Sequence, residues 1–469
     1  MSMNFIPDQK SYSDKFQPCM EMGAIMAATM VKNSVVVNHG ASGCAISATH
    51  FRSNNVPNGT YVPIVHTAVH QNDIISGGSN KLKNTLEHVI KKAGKTPPEL
   101  IWVFTSCATS MVQDDIVGIS KVVEKESGIK IIPIDTPGFL GGLSVGADHV
   151  YRALIDNFAS KDSKKSDKKI NIIGPHMMGT KNMIEDMREI IRLLEALDIE
   201  VNTVLTYNTA IEDIRRFGEA STNYVLTPEV LSNFEEISEE FGIEIFGHDL
   251  VLPIGIANTE EWYLKIAERF GNVEKAKKQL KEDMEVVRRR IGLDYNASWI
   301  LHDIANKHVG ILGYAPFAAA IARYLFFDLN ARPTVIGLWG ESERAIESAK
   351  KLLEEMADFL DFDVYENPSF YEYGMAVQKA KVDFSIGQRN DKPLIEGLRI
   401  PQVPIGGFHY MNQFNFVPWP YFGILGSLNL LSEIARGVEE VKFERGGWIS
   451  RSFIKEEEGL KKCGSYCNV

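Results

Sequence analysis

The 469-residue chain has no uninterrupted apolar run long enough to cross a bilayer, so it carries no candidate membrane span and no membrane partner is expected. It also lacks a Walker-type glycine–lysine loop, an H-E-x-x-H and a G-x-S-x-G. P-loop nucleotide hydrolysis, zinc-protease chemistry and serine hydrolysis therefore lose their usual sequence support. HVGILGYAP has a glycine turn, but it is not G-x-G-x-x-G and no acidic residue is placed to hold a ribose, which argues against a dinucleotide site. Basic excess is missing as well. Fifty Lys and Arg stand against sixty-one Asp and Glu, for a net charge of −11, and no nucleic-acid partner is expected. Cysteine is scarce, with five in the whole chain, too few for a disulfide framework at this size. The polar start MSMNFIPDQKSYSDKF has no apolar core of a signal peptide, which predicts a cytoplasmic location.

What is present is an ordinary globular composition, 44% hydrophobic and 24% charged, on a chain long enough for about three domains. Short β-branched or apolar runs at 34–37, 61–65, 101–105 and 129–134 alternate with helical patterns at 80–92 and 114–125. This alternation predicts an α/β fold with mainly parallel sheets. A charged stretch at 161–169 reads as a solvated linker. Strand patterns resume at 170–173, 201–205, 224–226 and 243–246, with helices at 181–197, 229–240 and 273–290. They resume again at KHVGILGY, 382–386 and 403–405, and close on a helix at 424–436. The expected units are 1–165, 166–305 and 306–469.

Three cysteines sit where such a fold exposes a thiolate. Cys44 and Cys107 follow buried strand candidates, and Cys19 precedes a helix rich in Ala and Met. Open α/β sheets bind ligands at the carboxyl ends of their strands, and soft thiolates there suit iron–sulfur chemistry or zinc. Their separations of 25 and 63 residues fit no local zinc loop, which uses close C-x2–4-C pairs. What remains is a site assembled from three loops, one donor short for a complete cluster. Plain burial of free cysteines is the competing reading. Cys463 and Cys467, in KKCGSYCNV, read as a clamp, an extra ligand pair or nothing.

QPCMEMGA, VNHGASGC, SCATSMVQDD and DTPGFLGG, in that order, resemble the nitrogenase component-one superfamily, especially its β-type chain. HQNDIISGGSNKLKNTL, LPIGIANTEEW, IPQVPIGGFHY and YFGILGSLNLL extend the likeness over nearly the full length. The resemblance implies three Rossmann-like α/β domains. It implies that Cys19, Cys44 and Cys107 supply this subunit's share of an iron–sulfur cluster, either an eight-iron P-cluster-like centre or a four-iron relative. That cluster would be shared with a homologous α-type subunit in an α2β2 heterotetramer. Electrons would arrive from a transient, homodimeric, ATP-dependent iron protein with a four-iron cluster.

His39, Gly40 and Gly43 then fall around the cluster, His39 to orient or tune it and the glycines to let backbone approach its sulfides. Arg52 is placed to compensate its charge. His409 lies near where an α-type chain holds its active-site cofactor by a histidine, with simple packing beside Phe408, Tyr410 and Phe414 as the alternative. Gly138 stands where nitrogenase β-chains often carry a serine ligand to the oxidised cluster. The stretch TNYVLTPEVLSNFEEISEEFG lacks the cysteine that holds the α-type cofactor, so catalysis is expected in the partner. The early position of Cys19 favours a nitrogenase-like reductase, such as a methylthio-alkane reductase, over nitrogenase itself. A cofactor-assembly scaffold and a non-redox binding protein are the readings from other classes.

Overall fold

The computed structural model describes residues 3–6, 18–44, 62–293, 297–406 and 419–444. Strands and helices alternate along it, and every strand pairing is parallel. Strand β1 (Met3–Ile6) runs out to a sheet formed much later in the chain. The strands β2 (Ser34–His39), β3 (Ile64–His66), β4 (Leu100–Thr105) and β5 (Lys130–Ile134) make the first sheet, ordered β3-β2-β4-β5. The next four, β6 (Ser166–Ile173), β7 (Glu200–Leu205), β8 (Ala220–Val225) and β9 (Glu244–Phe246), give the order β7-β6-β8-β9. The third sheet takes β10 (His308–Tyr314), β11 (Arg332–Trp339), β12 (Phe362–Glu366), β13 (Phe384–Gly387) and β14 (Gln402–Pro404). Its order is β1-β12-β11-β10-β13-β14. The expected three α/β units with parallel sheets are thus observed, with residues 3–6 serving the third sheet as an edge strand.

Sequence explains the centre of each sheet. β2 and β4 read SVVVNH and LIWVFT and are buried at every position, the signature of parallel strands covered on both faces. Helices supply the cover. Ser79–Ala93 turns Leu82, Leu86 and Val89 inward, and Ile116–Ser127 is capped by the Asp115 carboxylate on Gly118 N and ended by Gly128 at φ 73°. One boundary differs from expectation. β6 begins at Ser166, inside the charged stretch, because Lys169 finds carboxylates at Glu219 (2.8 Å) and Glu200 (3.2 Å).

The three units share their cores. Helix Met20–Ala28 is buried on all sides, packed among residues of the first sheet and of the second, such as Ile173, Leu205 and Val225. Thr206 Oγ1 donates to Ala27 O at 2.7 Å, tying the helix to the second unit. Helix Leu143–Phe158 crosses it at backbone contact. A Cβ on Gly23 would lie 1.9 Å from Leu143 O, and one on Gly146 would lie 1.9 Å from Met20 O. Only glycine permits that approach. The third unit reaches in through Glu341, whose carboxylate accepts from Leu143 N (2.7 Å) and Ser144 N (2.8 Å) at the start of the same helix. Glu229 of the second unit in turn accepts from Glu341 N (3.0 Å) and Ser342 N (2.9 Å). Helix N-termini favour carboxylates, and here both carboxylates come from other units. Among the described residues no helix is long and apolar enough to cross a membrane.

Candidate functional site

In the first sheet the chain leaves β2 toward β3 on one side and leaves β4 toward β5 on the other, so a switch point lies between β2 and β4. Crevices at such points are the ligand sites of open parallel sheets. The loops there carry Cys44, which lies in a helical turn after β2, and Cys107, the first residue of helix Cys107–Met111 after β4. Cys19 arrives at the N-terminus of helix Met20–Ala28, bridged in antiparallel fashion to Gly142. Its position is fixed by Met20 N donating to Gly141 O at 2.9 Å.

Gly138 is the meeting point of two of the sulfurs. A Cβ there would stand 3.2 Å from Cys19 Sγ and 3.4 Å from Cys107 Sγ, and its N–H donates to Cys107 Sγ at 3.2 Å. Any side chain at 138 would fill the space between the two thiols. Cys44 is held on the other side by a hydrogen bond to the Glu21 carboxylate, which also accepts from Asn38 Nδ2 at 2.6 Å. Burial pushes the Cys44 thiol up to about 12, helped by the charge of Glu21 and of the other two sulfurs. Burial also raises Cys19, with the N–H groups of Glu21 and Met22 pulling the other way. Burial lifts Glu21 itself to about 7. Burial thus favours the protonated thiol at both positions, and metal binding there would release those protons.

His39 is fully buried and both ring nitrogens are engaged by protein. Nε2 lies 3.0 Å from Asp114 Oδ2 and Nδ1 lies 3.0 Å from Thr67 Oγ1. Thr67 Oγ1 accepts from Gly40 N at 3.2 Å, so the network assigns the threonine proton to Nδ1 and the ring proton to Nε2. Burial lowers the ring's pKa against the pull of Asp114. His39 O accepts from Ser106 N (3.1 Å) and Thr109 Oγ1 (2.6 Å), on either side of Cys107. The histidine thus orients the Cys107 turn and offers no free nitrogen. Gly40 sits against Ser106, where a Cβ would come within 2.5 Å of the serine Cβ, while a Cβ at Gly43 would meet no described residue within 4 Å. Asp135 steadies the outer side, accepting from Thr105 Oγ1 and, at 3.0 Å, from Ser110 Oγ.

Exposed apolar side chains, a rim, follow two of these positions in the chain. Met111, Phe139 and Leu140 are 73%, 58% and 64% exposed, beside Cys107 and Gly138 in sequence. Among the described residues no three His, Cys, Asp or Glu side chains close on a single point as ligands of one metal ion. The space kept at Gly138, the amide on Cys107 Sγ and the soft donor set fit an iron–sulfur cluster held by Cys19, Cys44 and Cys107. His409, Arg52, Cys463 and Cys467 lie outside the described residues, as do Phe408, Tyr410 and Phe414.

Residues 19–439 match the family described as nitrogenase component 1 type oxidoreductase. The chain belongs to that family. Among curated relatives, the nitrogenase iron-molybdenum cofactor biosynthesis protein NifE of Clostridium pasteurianum is 25% identical over 423 residues, 89% of this chain and 86% of that one. The nitrogenase molybdenum-iron protein beta chain of Methanococcus maripaludis is 22% identical over 465 residues, 92% and 95% of the two chains. The nitrogenase vanadium-iron protein beta chain of Trichormus variabilis is 26% identical over 425 residues, 83% and 86%. A solved structure described as nitrogenase Cp1 at pH 6.5 superposes with a TM-score of 0.75 at 21% identity, covering 96% of this chain and 97% of that one, and so shares the fold.

Cys19, Cys44 and Cys107 stand out in the sequence itself. Glu21, Asn38 and Thr67 do not. The one signal for Glu21 was a lone charge inside MEMGAIMAATM, an otherwise apolar helix that no surface helix would need.

Proposed function

We propose that the chain is the β-type subunit of a nitrogenase-like, ATP-dependent reductase, paired with a homologous α-type subunit in an α2β2 assembly. Cys19, Cys44 and Cys107 hold this subunit's side of an interfacial iron–sulfur cluster, P-cluster-like or four-iron. Bound there, the cluster supplies one-electron transfer from an iron protein toward a cofactor in the partner. The observation that carries this reading is the pair of sulfurs facing Gly138, which is followed in the chain by the exposed Phe139 and Leu140. A complete centre needs donors and cover from a second chain, and Met111, Phe139 and Leu140 offer that chain an apolar seat.

The protein's own residues have distinct tasks. Gly138 keeps the crevice open and donates its N–H to Cys107 Sγ. His39, through Asp114 and Thr109, fixes the direction of the Cys107 helix. Helix Met20–Ala28 presents Cys19 with its first-turn N–H groups behind the sulfur, which favours negative charge there. The rim and its partner exclude water, which strengthens these interactions. A methylthio-alkane is the substrate class proposed for such a reductase.

A second reading is a cofactor-assembly scaffold, favoured by the NifE relative, which is as similar as the β-chains. Purification with the α-type partner under anaerobic conditions separates the two. Substrate reduction that needs both reductant and the ATP-driven iron protein supports the reductase. A cluster-bearing complex that transfers its metal but never turns over supports the scaffold. Iron-free complex refutes both.

A further inference from the structure

Helix Met20–Ala28 has a single charged residue, and that residue is 1% exposed. Glu21 has no Lys, Arg or His paired with it among the described residues; its carboxylate meets Asn38 Nδ2 and the Cys44 thiol. A carboxylate has about four acceptor positions, and a buried one is paired, neutralised by a proton or taken up by a metal. Asn38 is equally telling. It is fully buried, its Oδ1 has no partner among the described residues, and its short bond holds Glu21 Oε1 at 2.6 Å. A side chain that leaves an acceptor orphaned in the interior to fix a carboxylate's direction is a holder of that carboxylate. The direction it fixes is toward Cys44, one of the three thiols at the switch point.

We propose that Glu21 is itself a ligand of the cluster, an oxygen donor on the Cys44 side, held in place by Asn38. The inference rests on the cluster reading above. With a cluster bound, Cys44 would supply a thiolate and Glu21 a carboxylate oxygen, and the proton lying between them in the free chain would go to solvent. No electron moves in this exchange. The centre then draws four donors from this chain, three sulfurs and one oxygen, and its Cys44 side is harder and more negative than thiolates alone would make it.

The test uses the α-type/β-type complex purified anaerobically from cells supplied with glutamate carrying 13C at the side-chain carboxyl. Pulsed electron–nuclear double resonance on a paramagnetic state of the cluster should detect a 13C coupling, absent from a labelled Glu21→Gln complex. That variant should keep iron and titrate at a higher midpoint potential, because a neutral amide replaces an anionic donor. Iron-loaded wild type with no 13C coupling overturns the assignment without reference to any variant. So does a Glu21→Gln complex whose spectrum and potential are unchanged, which is what a merely hydrogen-bonding Glu21 would give. A complex without iron overturns the cluster reading and this inference with it.

Discussion

Replacing Gly146 by Ala separates packing from helix propensity by sign. In the interior of helix Leu143–Phe158, alanine is favoured over glycine by about 1 kcal/mol, so propensity alone predicts a more stable protein. The structure predicts the opposite. The new Cβ would lie 1.9 Å from Met20 O and 2.7 Å from Ala24 N, where ordinary contact is 3.4–4 Å. Both neighbours are backbone of helix Met20–Ala28, so neither can swing aside and the helices must part by roughly 1.5 Å. Overpacking of this kind costs ~1–3 kcal/mol, and rigid backbone puts it at the upper end, for a net loss of about 2 kcal/mol. The damage is also directional. Cys19 heads the displaced helix, and its sulfur stands 3.2 Å from the Cβ position of Gly138, so the thiols lose their relation to one another. Urea denaturation followed by circular dichroism should show a lower midpoint for Gly146→Ala, with iron per chain reduced. Gly397→Ala is the control, since a Cβ there meets nothing within 4 Å, and it should be neutral. A Gly146→Ala protein as stable as wild type, with full iron, refutes the close-packed helix pair as the support of Cys19.

Three further outcomes follow from the same structure. Burial, with the charge of Glu341, raises Glu229 from the ordinary 4.5 to about 7. The folded state therefore keeps a proton that the unfolded chain releases, and this contribution is full below pH 4.5 and lost as pH climbs to about 7. The stability of wild type relative to Glu229→Gln should fall between pH 4.5 and 7; a constant difference across that range sinks the assignment. Asp114→Ala strips His39 Nε2 and Gly78 N of their acceptor, which should cost ~1–3 kcal/mol and reduce iron loading by turning the Cys107 helix. An unchanged melting temperature and iron content would show that His39 does not position that turn. Phe139→Asp places a charge on the apolar rim and should abolish copurification with the α-type subunit, leaving the chain's own denaturation midpoint in place; undiminished copurification rules the rim out as the seat.

Much of this was written locally in the sequence. The strands of the first sheet announce themselves because parallel strands buried on both faces must be apolar throughout, as in SVVV and LIWVF. The motifs around Cys44 and Cys107 were legible because glycine and cysteine at strand ends have few other uses. What escaped depends on distant pairing. Met3–Ile6 gives no hint that its partner is Phe362–Tyr365. The lysines that open β6 look like a linker until Glu200 and Glu219 stand beside Lys169. Gly138 reads as a missing serine, yet in the structure it is the space between two sulfurs. Gly23 and Gly146 are 123 positions apart in a chain whose helix pattern would accept alanine at either. Glu341 stabilises a helix that begins almost two hundred residues earlier, which no local pattern records.

The most direct measurement is iron and acid-labile sulfide per heterodimer, made anaerobically on wild type and on Cys19→Ala, Cys44→Ala and Cys107→Ala complexes of confirmed fold. Wild type should contain both elements, and each variant should lose the native cluster spectrum. Wild type free of iron, or any of the three variants with an unaltered cluster spectrum, would contradict the assignment of these thiols as the cluster's donors.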